Sequence, residues 1–307
     1  MRLSATLLIL LAATAARAQQ LTAADIMSRV AANQDRSNAE RTHYIYVQHA
    51  HSLSRKGHTI RCEEITDFRI IPTEKGSTQK LLTLGGHLLY KGKDLHYTQL
   101  DAHTTNVKDD DSLHIGVIGK DDDPMDLDLV ENIRHNLVSD QSKDGIGAGL
   151  FPLTSKIQAD YIYTLAGRAP MDGRDCYHIT FRPRDKDDYG WKGDAFIDTH
   201  AFQPVLVHTT MARKIPFAVR TLLGTSLPGL GFTVTYAPEP ADTPNALWFP
   251  VSFGTEFKLH VLFFFNRTIV LDVRNRDFQR TQVHSTILDA TGNPLPPPPP
   301  PAAPPPH

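Results

Sequence analysis

The chain has 307 residues, 40% hydrophobic and 21% charged, with a formal net charge of −2. That is the composition of an ordinary folded protein. With no block of five basic residues, it argues against a nucleic acid or an anionic membrane held by electrostatics.

The first twenty residues, MRLSATLLILLAATAARAQQ, place Arg2 before an apolar run from Leu7 to Ala13 and a small-x-small site at Ala16-Arg17-Ala18. This is the order of a cleavable export signal, with a run too short to span a bilayer. We expect residues 1–18 to be removed, and the mature protein to begin at Gln19 with a formal charge of −4. It is then not an integral membrane protein; the periplasm is the expected destination and secretion the alternative. Next, Thr22 and Asp25 form a capping-box pattern ahead of Ile26, Met27, Val30 and Ala31, which predicts a helix over 22–37. Alternating segments follow: HYIYVQHAH, HTIRCEEITDFRIIP, QKLLTLGG with HLLYKG, and DLHYTQL, an antiparallel meander. Two cysteines, Cys62 and Cys176, either pair in an oxidising compartment or remain small buried hydrophobes.

Residues 109–160 read differently. Leu129, Val130, Ile133 and Leu137 recur at helical spacing behind Pro124, and Gly145, Gly147 and Gly149 then break the pattern. We expect a helical insertion packed across the sheet. Strands return with YIYTLAG, CYHITFRP, GDAFID, PVLVHTTMA, GFTVTY and TIVLDVRNRDFQRT, and Asp172-Gly173 marks a hairpin turn. From 294 to 307, ten of fourteen residues are proline, so this tail is extended and builds no core. Residues 19–293 are expected to form one domain.

The most apolar stretch of the mature chain is WFPVSFGTEFKLHVLFFFNRT, residues 248–268. Its odd positions form one apolar face, a period of two that belongs to strands and not to a spanning helix. A bend or bulge is expected near Gly254. Phe253, Phe257, Leu259, Val261, Phe263 and Phe265 are the candidate wall of a cavity for an apolar ligand, or else a packed core. The helix at 22–37 and the segment around IPFAVRTLLG are the available covers for this face. Leu262 and Phe264 need a cover on the opposite face, which the insertion supplies.

Catalytic patterns are sparse: the chain holds no G-x-S-x-G, H-E-x-x-H or Walker loop. His43, His49 and His51 share a parity compatible with a zinc pair, yet without a third ligand they read equally well as edge-strand histidines. The acidic triplets at 109–111 and 121–123 lack calcium-loop spacing. Asp144 and Asp198 are accounted for by turns and caps, and the Asn266 sequon by a strand. No cofactor or metal is expected, and no enzymatic activity. An outer-membrane barrel is disfavoured by the helical middle and by Glu256 and Lys258 on the even face.

One family resemblance adds to this. Trp191-Lys192-Gly193-Asp194-Ala195-Phe196-Ile197-Asp198 followed by Gln203-Pro204-Val205, together with Trp248-Phe249-Pro250, resembles the strand-turn-strand of the bacterial lipoprotein-carrier superfamily. That superfamily includes the outer-membrane lipoprotein-sorting proteins and the sigma-factor regulatory proteins sharing their fold. LFPLT at 150–154, combined with WFPVSFGTEF and the proline-rich end, further resembles exported bacterial proteins of no established function. The resemblance implies an α+β fold: a strongly curved, unclosed antiparallel half-barrel with helices on its concave face. It implies a non-catalytic periplasmic protein whose partner is a lipid, a lipoprotein or another apolar ligand. An envelope scaffold with a packed core and an envelope protein partner is the alternative. A metal-dependent exported hydrolase is a third reading.

Overall fold

The computed structural model describes residues 21–73, 76–98, 122–137, 151–187, 190–213, 225–239, 241, 246–261 and 265–281. Residues 1–20, the proline-rich residues 294–307, the IPFAVRTLLG segment, Leu262, Phe263, Phe264 and half of 109–160 lie outside them. In chain order the elements are α1 (Ala23–Arg41), β1 (Tyr44–Lys56), β2 (Thr59–Pro72), β3 (Ser77–Tyr90) and β4 (Lys93–Tyr97), then α2 (Asp122–Leu137) and α3 (Ser155–Gln158). There follow β5 (Tyr161–Met171), β6 (Arg174–Pro183), β7 (Trp191–Asp198), β8 (Pro204–Met211), β9 (Thr225–Ser226), β10 (Gly231–Glu239), β11 (Leu247–Val261) and β12 (Phe265–Arg280).

These strands form one antiparallel sheet in the order β4, β3, β2, β1, β12, β11, β10, β8, β7, β6, β5, with β9 paired to β11. The ends of this order do not meet, so the expected unclosed half-barrel is the fold. Two meanders, β1 to β4 and β5 to β12, run in opposite senses and are joined where β1 pairs with β12 from Tyr44↔Arg280 to Arg55↔Thr268. No helix among the described residues is long and apolar enough to cross a membrane. The β5–β6 hairpin turns at Asp172 and Gly173, whose φ angles of 50° and 73° are the pair that a two-residue turn between twisted strands requires.

Burial alternates with the pleat. Even positions are buried in β1 and β2, odd ones in β12 from Phe265 to Asn275. Bulges reset this parity. The β10–β11 register slips at Val251, three residues before the expected Gly254, beside Pro250, which has no N–H to give a ladder. Trp248, Phe249 and Pro250 are consequently all buried, which a single parity forbids. In β12, Asp277 (φ 59°) occupies the slip opposite Tyr46 and turns Phe278 toward Tyr46 and Phe249.

Helix α1 begins at the capping box that Thr22 and Asp25 form, as expected, and runs four residues past 37. Its stripe of Ile26, Met27 and Val30 seals the core built by β5 to β8, β10 and β11. The extension is held by buried polar groups that periodicity alone discounts. Arg41 donates to the Trp248 carbonyl (2.9 Å) and to Gln34 (3.1 Å), and Gln34 donates to Gln203 (2.7 Å). The Ile197-Asp198…Gln203-Pro204 pattern is the matching turn. Asp198 accepts from the backbone of His200 and Ala201, and Asn33 of α1 donates to the Ala201 and Phe202 carbonyls.

Cys62 and Cys176 are both free and fully buried, on β2 and β6. Of the two readings the sequence allowed, the structure has the buried hydrophobes. Burial pushes the Cys62 thiol up to about 12 and that of Cys176 up to about 11, so neither is a thiolate near neutrality.

Gly193 in β7 faces Thr209 in β8, and a Cβ there would stand 1.8 Å from the His208 carbonyl oxygen. Gly193→Ala is therefore expected to lower stability by about 1–3 kcal/mol through backbone overpacking. Gly85→Ala, which meets open space, is expected to leave the urea midpoint nearly unchanged. Thiol labelling should find no reactive cysteine in the native protein and two after denaturation; rapid native labelling of either would contradict their burial.

Candidate functional site

The odd positions of β11 and β12 meet across the ladder as Phe253↔Val273, Phe257↔Ile269, Leu259↔Arg267 and Val261↔Phe265. Together they make an apolar wall with a guanidinium set into it. Of the candidate wall residues, Phe253, Leu259, Val261 and Phe265 are buried and Phe257 is half-buried; Phe263 lies outside the described residues.

The wall divides between two covers. Phe253 stacks on Phe232 (5.4 Å) and meets the edge of Phe151 (6.3 Å), within the core that α1 closes. Leu259, Val261, Phe265 and Ile269, with Phe257 against them, pack on Met125 and Leu129 of α2 and on Ile133 and Leu227. The insertion helix thus covers the odd face itself, not the opposite face assigned to it above. The reason is its own periodicity: Met125, Leu129 and Ile133 at i, i+4 and i+8 make a stripe that fits this wall.

Charges fix α2 in place. Arg267, 1% exposed, grips the fully buried Asp126 in a two-pronged contact, Nε to Oδ1 at 2.6 Å and Nη2 to Oδ2 at 2.8 Å. Ser54 of β1 also donates to Asp126 (2.5 Å), and the Arg61 Nε lies 3.7 Å from its other oxygen. Two turns on, Arg134 donates to Glu64 (2.5 Å), whose second oxygen accepts from Tyr97 (2.8 Å). Burial beneath α2, with Cys62 and Glu64 beside it, drives the Tyr97 phenol well above its ordinary range, so it serves as a donor. Val130 and Leu127 complete the contact against Cys62, Leu88 and Tyr90.

Sequence reasoning passed over these charged residues, although a signal was present. Arg267 stands in phase with Phe265, Ile269 and Leu271, and Glu64 with Cys62, Phe68 and Ile70. A charge on the apolar parity of a strand is the mark of a buried ion pair.

The histidines do not converge. His49 meets Asp67 (3.0 Å) and His51 meets Glu63 (2.6 Å), while His43 lies exposed ahead of β1. Among the described residues no group of three or more His, Cys, Asp or Glu side chains is arranged to hold a metal ion. The Asp67 carboxyl is the acceptor hub of this outer face. Its burial opposes ionisation, but hydrogen bonds from His49, Thr83 and Arg276 outweigh that and hold it below its ordinary value.

The fold and this covered wall define a half-barrel with an internal occupant. The chain is similar to solved half-barrels. A DUF1329 family protein from Desulfovibrio piger is 10% identical with a TM-score of 0.39, over 86% of this chain and 96% of that one. An outer membrane lipoprotein-sorting protein domain from Vibrio parahaemolyticus is 11% identical with a TM-score of 0.39, over 84% and 95%. A LolA superfamily protein from Nitrosomonas europaea is 12% identical with a TM-score of 0.32, over 86% and 96%. No protein-family model matches the sequence, and no curated protein matches it. The site is read from this chain's own residues.

Arg134→Met is expected to cost about 3–5 kcal/mol, because Glu64 is left buried without its cation. Adding Glu64→Gln, whose carbonyl still accepts from Tyr97, should recover most of that loss in urea titrations. Equal losses in the single and double variants would show that Arg134 acts only through packing.

Proposed function

We propose that this is an exported, non-catalytic binding module of the periplasm that takes an apolar ligand, a lipid or a lipidated protein, onto the wall formed by β11 and β12 in exchange for α2. Residues 19–293 act as one domain, with 294–307 as a spacer. Phe253, Phe257, Leu259, Val261, Phe263 and Phe265 are the residues assigned to ligand contact. The export pattern of residues 1–18 supports the compartment.

The observation that carries this reading is how α2 is held. The part of the wall from Phe257 to Val261, with Phe265 and Ile269, is sealed by one helix whose remaining anchors are buried ion pairs. Such pairs fix position strictly, yet add little net stability over apolar packing, because desolvating both charges offsets their attraction. A ligand that supplies comparable apolar area, and leaves Arg267 and Glu64 paired or solvated, can therefore compete with the helix. The same seat favours a second reading, an interaction module that accepts a partner's helix, because a helix is what occupies it now.

Purified mature protein, from Gln19 onward, is expected to carry bound lipid detectable by mass spectrometry and to bind fluorescent acyl probes. Phe257→Asp, at the half-buried centre of the wall, is expected to weaken probe binding about tenfold or more, as 1.4 kcal/mol does. Absence of both lipid and probe binding would falsify the apolar-ligand reading and leave the helix-binding one.

A further inference from the structure

The wall is not uniformly apolar, and its one guanidinium is directed at a carboxylate. Arg267 faces Leu259 across the ladder, with Phe265 on one side and Ile269 on the other along its own strand. Its Cζ lies 4.3 Å from the centre of the Phe265 ring, which fixes the plane of the fork. The planar guanidinium presents two parallel donors, a geometry that matches a carboxylate or a phosphate and not a neutral group. Asp126 fills that place, and the Ser54 hydroxyl and Arg61 also converge on it from β1 and β2. An oxyanion held by a fork, a hydroxyl and a second cation, beside an apolar wall, is the arrangement that the head of an anionic amphiphile requires.

Resting on the reading that a ligand exchanges with α2, we infer that this ligand is an anionic amphiphile and that Asp126 stands in for its head group. Its acyl chain lies along Val261, Leu259 and Phe257, the stretch that α2 covers, a length of about 13 Å at ~3.3 Å per residue. Its carboxylate or phosphate takes the place of the Asp126 carboxylate between Arg267, Ser54 and Arg61. Glu64, the acidic group that α2 uncovers as it leaves, shares the buried face of Ser54, about 8 Å away by register, and keeps the Tyr97 hydroxyl; around the anion Arg267 and Arg61 outnumber it two to one. Exchange of one oxyanion for another leaves Arg267 paired in both states. A neutral lipid would leave its charge without a partner in a covered groove, which the site penalises.

The test compares parinaric acid with its methyl ester, two fluorescent probes that differ in the head group, on the mature protein. The acid is expected to bind about tenfold or more tightly than the ester, the return on one charge-assisted contact. Asp126→Asn weakens the seat of α2 for any ligand and should tighten both probes, the acid more than the ester, because only the acid pairs Arg267 again. In Asp126→Asn/Arg267→Gln, a neutral pair able to hydrogen-bond, the preference for the acid should vanish. Circular dichroism and retained ester binding report that this variant is folded, and the comparison on the unaltered protein stands without it. Displacement of the acid by lysophosphatidylglycerol assigns the head group as phosphate; displacement by palmitate alone assigns it as carboxylate. Equal affinities for acid and ester overturn the inference and leave the apolar-ligand reading intact, whereas binding of neither overturns the reading beneath it.

Discussion

The pairing of β1 with β12 is the constraint on which the rest of the molecule depends. It joins the first strand of the chain to the last through eleven residue pairs, and it alone connects the β1–β4 meander to the β5–β12 meander within the sheet order. Without it there would be two smaller sheets with four edges. With it, the buried faces of β2, β1, β12 and β11 become one surface, and α2 has a seat that spans both halves. The bulge at Asp277 limits the joint at one end by twisting the strands and turning Phe278 inward.

The charged groups of the site straddle this joint. Arg267 comes from β12, Ser54 from β1, Glu64 and Arg61 from β2, and the matching Asp126 and Arg134 from a single helix. Their spacing on α2, eight residues, places both on the face that carries Leu129, Val130 and Ile133, so the apolar and ionic contacts lock together. Burying two ion pairs where leucines would serve is a poor way to gain stability and an effective way to specify one position.

Much of the architecture is written in period-two alternation. The long strands, the α1 cap and the Asp172–Gly173 turn follow from residue order, because each depends on neighbours close in sequence; the half-barrel class came from the family resemblance, and the two-residue β9 from neither. What does not follow is whatever depends on contacts across the sheet. The bulge at Val251 is a slip between strands, so residue spacing could suggest one only nearby, at Gly254. The cover on the odd face of β11 depends on where a helix more than a hundred residues earlier comes to rest. The buried charges were visible as letters on the wrong parity. Their meaning came only with partners far away in sequence: Asp126 for Arg267, Glu64 for Arg134. Gly193 shows the reverse case, since its place in the Trp191–Asp198 pattern acquires a cause once the His208 carbonyl is seen pressed against it.

The order of the strands also sets a timetable. β1 is complete at residue 56 and its partner begins at residue 265. At roughly 5–20 residues per second, that interval is about 10–40 s of synthesis. Throughout it, one flank of β1 presents a row of unmatched backbone donors and acceptors, the hazard of any long bare edge. The chain cannot settle into its final form while it is being made.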